Sequence, residues 1–138
     1  MKEMTPYLIF NGNCREAMNF YRRCLGGDLR IATFGEGDPK VPPEAKDRLM
    51  HARLTKGSTV LMASDNMPGM KYTPGDNYFV SLACDRDEEV DALFASLGAG
   101  GTPQMPPLDA PWGARFAMFT DRFGVGWMLN HERAPMKG

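Results

Sequence analysis

The sequence predicts an α+β fold made of two βαβββ modules, and three observations carry that prediction. A short apolar strand, a capped helix and a double glycine appear at the start of the chain and return about 70 residues later. Behind each double glycine come strand-like runs joined by glycine-bearing turns. The chain has 138 residues, 43% of them hydrophobic, which suits one compact domain over 1–138 or two small modules with a common core. Neither module alone is large enough to bury its sheet face, so the two share a core with each other or with a second chain.

Tyr7-Leu8-Ile9-Phe10 is the first apolar run, and Asn13 with Glu16 three residues on resembles a capping box, so a helix is expected from there. Cys14, Ala17, Met18, Tyr21 and Leu25 then recur at helical spacing until Gly26-Gly27 ends the stripe. Asp28 to Phe34 reads as a strand, and Gly35 to Asp47, with three prolines, as a long mobile loop. Met50–Thr55 and Thr59–Ser64 flank Lys56-Gly57-Ser58 as a hairpin. The first module thus spans 5–65, and a Pro/Gly/Met-rich linker follows over 66–76.

The second module, 77–131, repeats the order. Tyr78 to Cys84 is its first strand, and Asp85 with Glu88 is the second cap. Val90, Leu93, Phe94 and Leu97 form the helix stripe before Gly98-Ala99-Gly100-Gly101. Thr102 to Met105 is expected as a short strand, 106–111 as a loop, Trp112 to Thr120 as a strand, and Gly124 to Asn130 as the last strand.

Composition removes several classes of function. Formal net charge is −1 and no stretch concentrates Lys and Arg without acids beside them, which leaves nucleic-acid binding without a footing. No apolar run is long enough for a bilayer, and the start lacks the plan of a secretion signal, so the expected location is the cytoplasm, with no membrane partner. Cys14, Cys24 and Cys84 are odd in number and lack C-x-x-C spacing, which argues against a disulfide framework or a zinc site. They read as reduced, buried small hydrophobes.

Against this background the chain resembles the vicinal oxygen chelate superfamily (glyoxalase, bleomycin resistance, ring-cleaving dioxygenase), in its PhnB-like or 3-demethylubiquinone methyltransferase-like branch. The residues that carry the resemblance are Tyr7 to Met18 with Phe20-Tyr21 and Leu25-Gly26-Gly27, then His51 to Leu54, Ser64-Asp65, Trp112-Gly113, Asp121, Phe123 to Val125 and Trp127 to Asn130. It implies a cupped mixed β-sheet with helices on the convex face, a ligand cleft on the concave face and a homodimer. The methyltransferase label finds no support, because no glycine-rich strand-to-helix turn is present to hold a nucleotide-like cofactor.

In metal-dependent relatives four ligands, usually His, Gln or Glu, come from the first and last strands of each module. With the caps in register those places fall here on Pro6 or Tyr7, Leu61, Asn77 or Tyr78, and Met128. Met128 stands where a glutamate is usual, and this set suits neither a hard cation nor zinc. The expectation is therefore no cofactor and no catalytic metal.

Strand parity supplies a cleft in place of the metal. Met50, Ala52 and Leu54 are expected toward the helix, with His51, Arg53 and Thr55 opposite. In the sister strand Ala114, Phe116 and Met118 form the apolar row and Arg115 opposes it, matching Arg53. Leu61, Ala63, Asp65, Tyr78, Met128 and Asn130 complete the expected lining, with Trp112 or Trp127 as a flat wall. Guanidinium forks suit a carboxylate or phosphonate, so the expected ligand is a small anionic or amphipathic metabolite. His51 is a candidate base by its ordinary pKa, and His131, near the tail, is expected to be exposed. Duller readings stand beside these: Arg53 paired with Asp65, a structural His51, and tryptophans that fill core or dimer contacts. A metal-dependent lyase, isomerase or oxygenase, and a protein-interaction module, are the competing functions.

Overall fold

The computed structural model describes residues 1–133, so the expected domain end at 138 lies outside the described residues. Two compact units emerge, Met1–Thr73 and Pro74–Gly138. Unit one contains β1 (Tyr7–Phe10), α1 (Cys14–Leu25), β2 (Asp28–Thr33), α2 (Phe34–Gly37), a 3-10 turn (Pro43–Ala45), β3 (Leu49–Lys56) and β4 (Thr59–Asp65). Unit two contains β5 (Val80–Ala83), α3 (Asp87–Leu97), β6 (Thr102–Ala110), β7 (Ala114–Thr120) and β8 (Gly126–Glu132). The sheet orders are β1-β4-β3-β2 and β5-β8-β7-β6, so the two units share one topology. In each, the first strand lies parallel to the last and the other pairings are antiparallel.

α1 forms where the apolar stripe predicts, and Cys14, Ala17, Met18, Phe20 and Tyr21 are buried. Its N-terminus is held differently from the expectation. Asn13 makes no side-chain cap bond. Asp65, at the end of β4, accepts from Gly12 N at 2.8 Å and Cys14 N at 3.0 Å through Oδ1, and from Leu49 N at 2.9 Å through Oδ2. A carboxylate brought in by the sheet thus satisfies free donors of the first turn, as a local cap otherwise would. At α3 the N-cap is Arg86 rather than Asp85, and Glu89 Oε1 takes Asp85 N at 2.8 Å.

The paired glycines have a steric reason. A Cβ on Gly27 would run into Thr55 O, and one on Gly101 into Thr120 O. In each unit the chain leaving the helix passes too close to the neighbouring strand's backbone for any side chain.

Three local expectations change. Gly35 to Asp47 is not a featureless loop: α2 is capped by Thr33 Oγ1 accepting from Glu36 N at 3.1 Å, and Ala45 is fully buried. β6 runs straight through 106–111 as far as Ala110, with bulges on either side of Met105. It is an edge strand, where Pro103, Pro106 and Pro107 leave no central ladder bond unmade. A bulge between Ala32 and Thr33 shifts the pairing from His51 to Leu49 and skips Met50. Leu49 is therefore the buried residue, while Met50 is 40% exposed.

Candidate functional site: the helix-free sheet faces

Register decides which side chains lie opposite the helices. In unit one Ala52 pairs with Ala63 and Leu54 with Leu61, and all four are buried with Leu8 and Phe10 on the α1 side. Leu61, Ala63 and Asp65, expected in the cleft, thus belong to the helix-covered face, because Ala63 pairs with Ala52 and the other two share its parity. The helix-free face carries Tyr7 and Ile9 from β1, Val60, Met62 and Ser64 from β4, His51, Arg53 and Thr55 from β3, and Arg30 from β2. His51 and Arg53 stand where strand parity puts them.

Two contacts organise that face. Tyr7 OH lies 3.2 Å from His51 Nδ1, with the rings tilted and their centroids 5.8 Å apart. Arg53 Nη1 lies 3.6 Å from Met62 Sδ. Arg30 is the direct cross-strand partner of Arg53, and among the described residues neither forms an ion pair with a carboxylate. Asp65, the dull partner for Arg53, is on the other side and committed to backbone amides. Arg30 was missed in the sequence reading, although alternation along Asp28 to Thr33 puts it in phase with Asp28 and Ala32.

In unit two the β7 parity is the reverse of the expected one. Ala117 and Phe119 pair with Leu129 and Trp127, and all four are buried beneath α3, where Phe94 meets Phe119 edge-on at 5.6 Å. Both rows of β7 carry apolar residues, Phe116 and Met118 in one and Ala117 and Phe119 in the other, so composition did not separate them. Trp127 is fully buried and donates Nε1–H to Asp121 Oδ2 at 2.8 Å, which makes it a core residue and not a cleft wall. Arg115 shares the helix-covered side and bonds Asp91 of α3 at 3.0 Å and Asp109 at 3.3 Å. It does not match Arg53. The helix-free face of unit two carries Phe116, Met118, Met128 and Asn130, joined by Met105 and Leu108 from β6. Trp112, in the turn before β7, is 51% exposed and edge-on to Phe116 at 5.6 Å. Tyr78 precedes β5 and is 49% exposed.

At the start of α3 an ionic cluster ties the end of β8 down. Asp87 bonds Arg133 Nη2 at 2.7 Å and His131 Nδ1 at 2.8 Å, so His131 is held rather than left exposed. Arg133 also reaches Asp109. The Arg133 guanidinium, then the His131 ring, hold the Asp87 carboxyl down at about 2. Elsewhere burial pushes the Cys14 thiol up to about 12 and the Cys84 thiol to about 11, so both are poor nucleophiles.

The family metal can be tested against the donors present. Pairing puts Tyr7 beside Met62 and Ser81 beside Met128, so Met62 and Ser81 replace Leu61 and Asn77 or Tyr78 at the second and third places. A phenol, a hydroxyl and two thioethers do not fit a hard divalent cation. Among the described residues no three His, Cys, Asp or Glu side chains come together to hold an ion.

Twin βαβββ units, each with a helix-covered and a helix-free sheet face, define the glyoxalase/bleomycin resistance fold. The chain belongs to the Glyoxalase/Bleomycin resistance protein/Dioxygenase superfamily, whose family model matches residues 4–129. Its likenesses include a PhnB protein. It is 32% identical to Protein YjdN of Escherichia coli (strain K12), over 92% of this chain and 93% of that one. The crystal structure of protein PA1353 from Pseudomonas aeruginosa is 49% identical with a TM-score of 0.85, covering 96% of this chain and 98% of the other. The PhnB protein from Bacillus cereus is 27% identical with a TM-score of 0.72, covering 94% and 99%. No helix among the described residues is long and apolar enough to cross a membrane.

Proposed function

We propose that the chain binds a small anionic or amphipathic metabolite on its helix-free sheet faces without a catalytic metal, and that it works as a homodimer in the cytoplasm. One observation carries the reading. Arg30 and Arg53 face each other across adjacent strands, and among the described residues no carboxylate pairs with either. Like charges directly opposed destabilise a sheet, and an anion lying across both guanidiniums relieves that cost while accepting their forked donors. His51, oriented by its hydrogen bond to Tyr7, stands on the same face as a further donor to the anion.

Calorimetric titration with benzoate and with phenylphosphonate tests it. Wild-type protein binds at least one of them, and Arg30→Ala with Arg53→Ala weakens that binding by at least about tenfold. Arg115→Ala, which alters a residue of the helix-covered face, leaves it unchanged. Equal affinity in the wild-type protein and the double variant rules the anion site out. Exposed Ile31 on edge strand β2 and exposed Met70 and Tyr72 in the linker are consistent with a second copy as partner.

A further inference from the structure

The register of unit one lines up four side chains of its helix-free face in a single row across the sheet. Arg30 of β2 pairs with Arg53 of β3, Arg53 with Met62 of β4, and Met62 with Tyr7 of β1. Adjacent strands lie about 4.8 Å apart, so the row passes from two guanidiniums to a thioether to a phenol within about 15 Å. It has a charged end and an apolar end. Among the described residues Arg53 is bonded only to Met62 Sδ, a weak acceptor at 3.6 Å, and Arg30 has neither a hydrogen bond nor an ion pair. The rows on either side bias where an anion can sit. On one side Asp28 stands opposite Thr55, and on the other His51 stands opposite Ala32, with its Nδ1 3.2 Å from Tyr7 OH. The Asp28 carboxylate repels an anion, whereas the His51 ring offers an N–H to one.

Two positive charges without a counter-ion set the charge of the head group. A singly charged anion answers one guanidinium and leaves the other unneutralised, whereas a doubly charged one answers both, so the Coulombic gain grows with the charge of the ligand. Beyond the head, Met62 is one strand away from Arg53, a step that a phenyl ring covers, and thioethers pack favourably against aromatic rings. We infer that this face takes an aryl dianion, its doubly charged head lying across Arg30 and Arg53 on the His51 side and its ring over Met62 toward Tyr7. The inference rests on the reading that Arg30 and Arg53 bind an anion, and it names the charge and the body of that ligand.

Calorimetric titration of the full chain at pH 8 with phenyl phosphate, phenyl sulfate and methyl phosphate tests it. Phenyl phosphate carries two charges there, since its second ionisation lies at about pH 6, while phenyl sulfate has nearly the same shape and one charge. The expected result is phenyl phosphate binding tighter than phenyl sulfate by about tenfold or more, with that ratio falling at least about threefold in Arg30→Gln, which removes one charge at an exposed position. Phenyl phosphate should also bind tighter than methyl phosphate by about fivefold or more, an advantage that shrinks in Met62→Ser. Should Met62→Ser fail to fold, the ratio in the wild-type protein decides for the ring. Equal binding of the phosphate and sulfate esters overturns the dianion, and methyl phosphate binding as tightly as phenyl phosphate overturns the place of the ring. If none of the three binds while benzoate does so through Arg30 and Arg53, the inference falls and the proposed function stands. If benzoate and phenylphosphonate fail as well, both readings fall.

Discussion

Asp65 and Asp121 are two buried carboxylates that do the same work in different units. Asp121 accepts from Phe123 N at 2.8 Å, Val125 N at 3.0 Å and Trp127 Nε1 at 2.8 Å, as Asp65 does from three backbone amides. Removing either leaves several buried donors without a partner. Asp65→Ala should therefore lower unfolding free energy by on the order of 3 kcal/mol, read from urea denaturation. A loss no larger than that of a surface control would show that water replaces the carboxylate. Asp87 behaves differently because it is accessible. Its folded pKa is depressed from about 3.8 to about 2, so its contribution is present above the unfolded value and disappears as pH falls through the folded one. Melting temperatures of wild type and Asp87→Asn should differ at pH 6 and converge between about pH 4 and pH 2. A constant difference across that range would break the link to the Asp87 carboxyl.

At the scale of elements, the step from helix into edge strand depends on a glycine where two backbones meet. Gly57 and Gly27 both have positive φ, at 60° and 96°, yet a Cβ on Gly57 meets nothing while one on Gly27 meets Thr55 O. Gly57→Ala should cost about 1–2 kcal/mol, the left-handed penalty alone. Gly27→Ala should cost clearly more, since backbone has to move as well. Equal losses in chemical denaturation would remove the close approach as the reason for the glycine. The long edge strand β6 makes the complementary point. Its prolines suggested a loop, but at an edge they are compatible with pairing on the other side, and the bulges beside Met105 absorb the mismatch. A peptide-level hydrogen-exchange experiment should find β6 less protected than β8, which is paired on both sides.

For the whole molecule, the proposed homodimer predicts a sedimentation coefficient for twice 15.3 kDa at micromolar concentration. A monomer over the full accessible concentration range would end that proposal. Much of the architecture was already readable in the chain. The repeat of strand, helix and double glycine announced two copies of one unit, because helical periodicity and glycine stops are local properties that need no partner. The presence of His51 and Arg53 opposite Ala52 and Leu54 was also legible, since strict alternation has a single solution once one row is clearly polar. Three things were settled only by tertiary pairing. β7 has apolar residues in both rows, so its parity came from the strand beside it, and Arg115 moved to the helix-covered face with it. Asp65 looked like a cleft carboxylate until the sheet carried it to the N-terminus of α1. The opposition of Arg30 and Arg53 exists only because β2 and β3 lie in that register. Sequence determined which segments form and which of their faces are greasy, because those follow from short-range periodicity. Which side chain meets which was decided by the docking of distant segments, because a hydrogen-bonded ladder sets register between residues that the chain itself does not bring together.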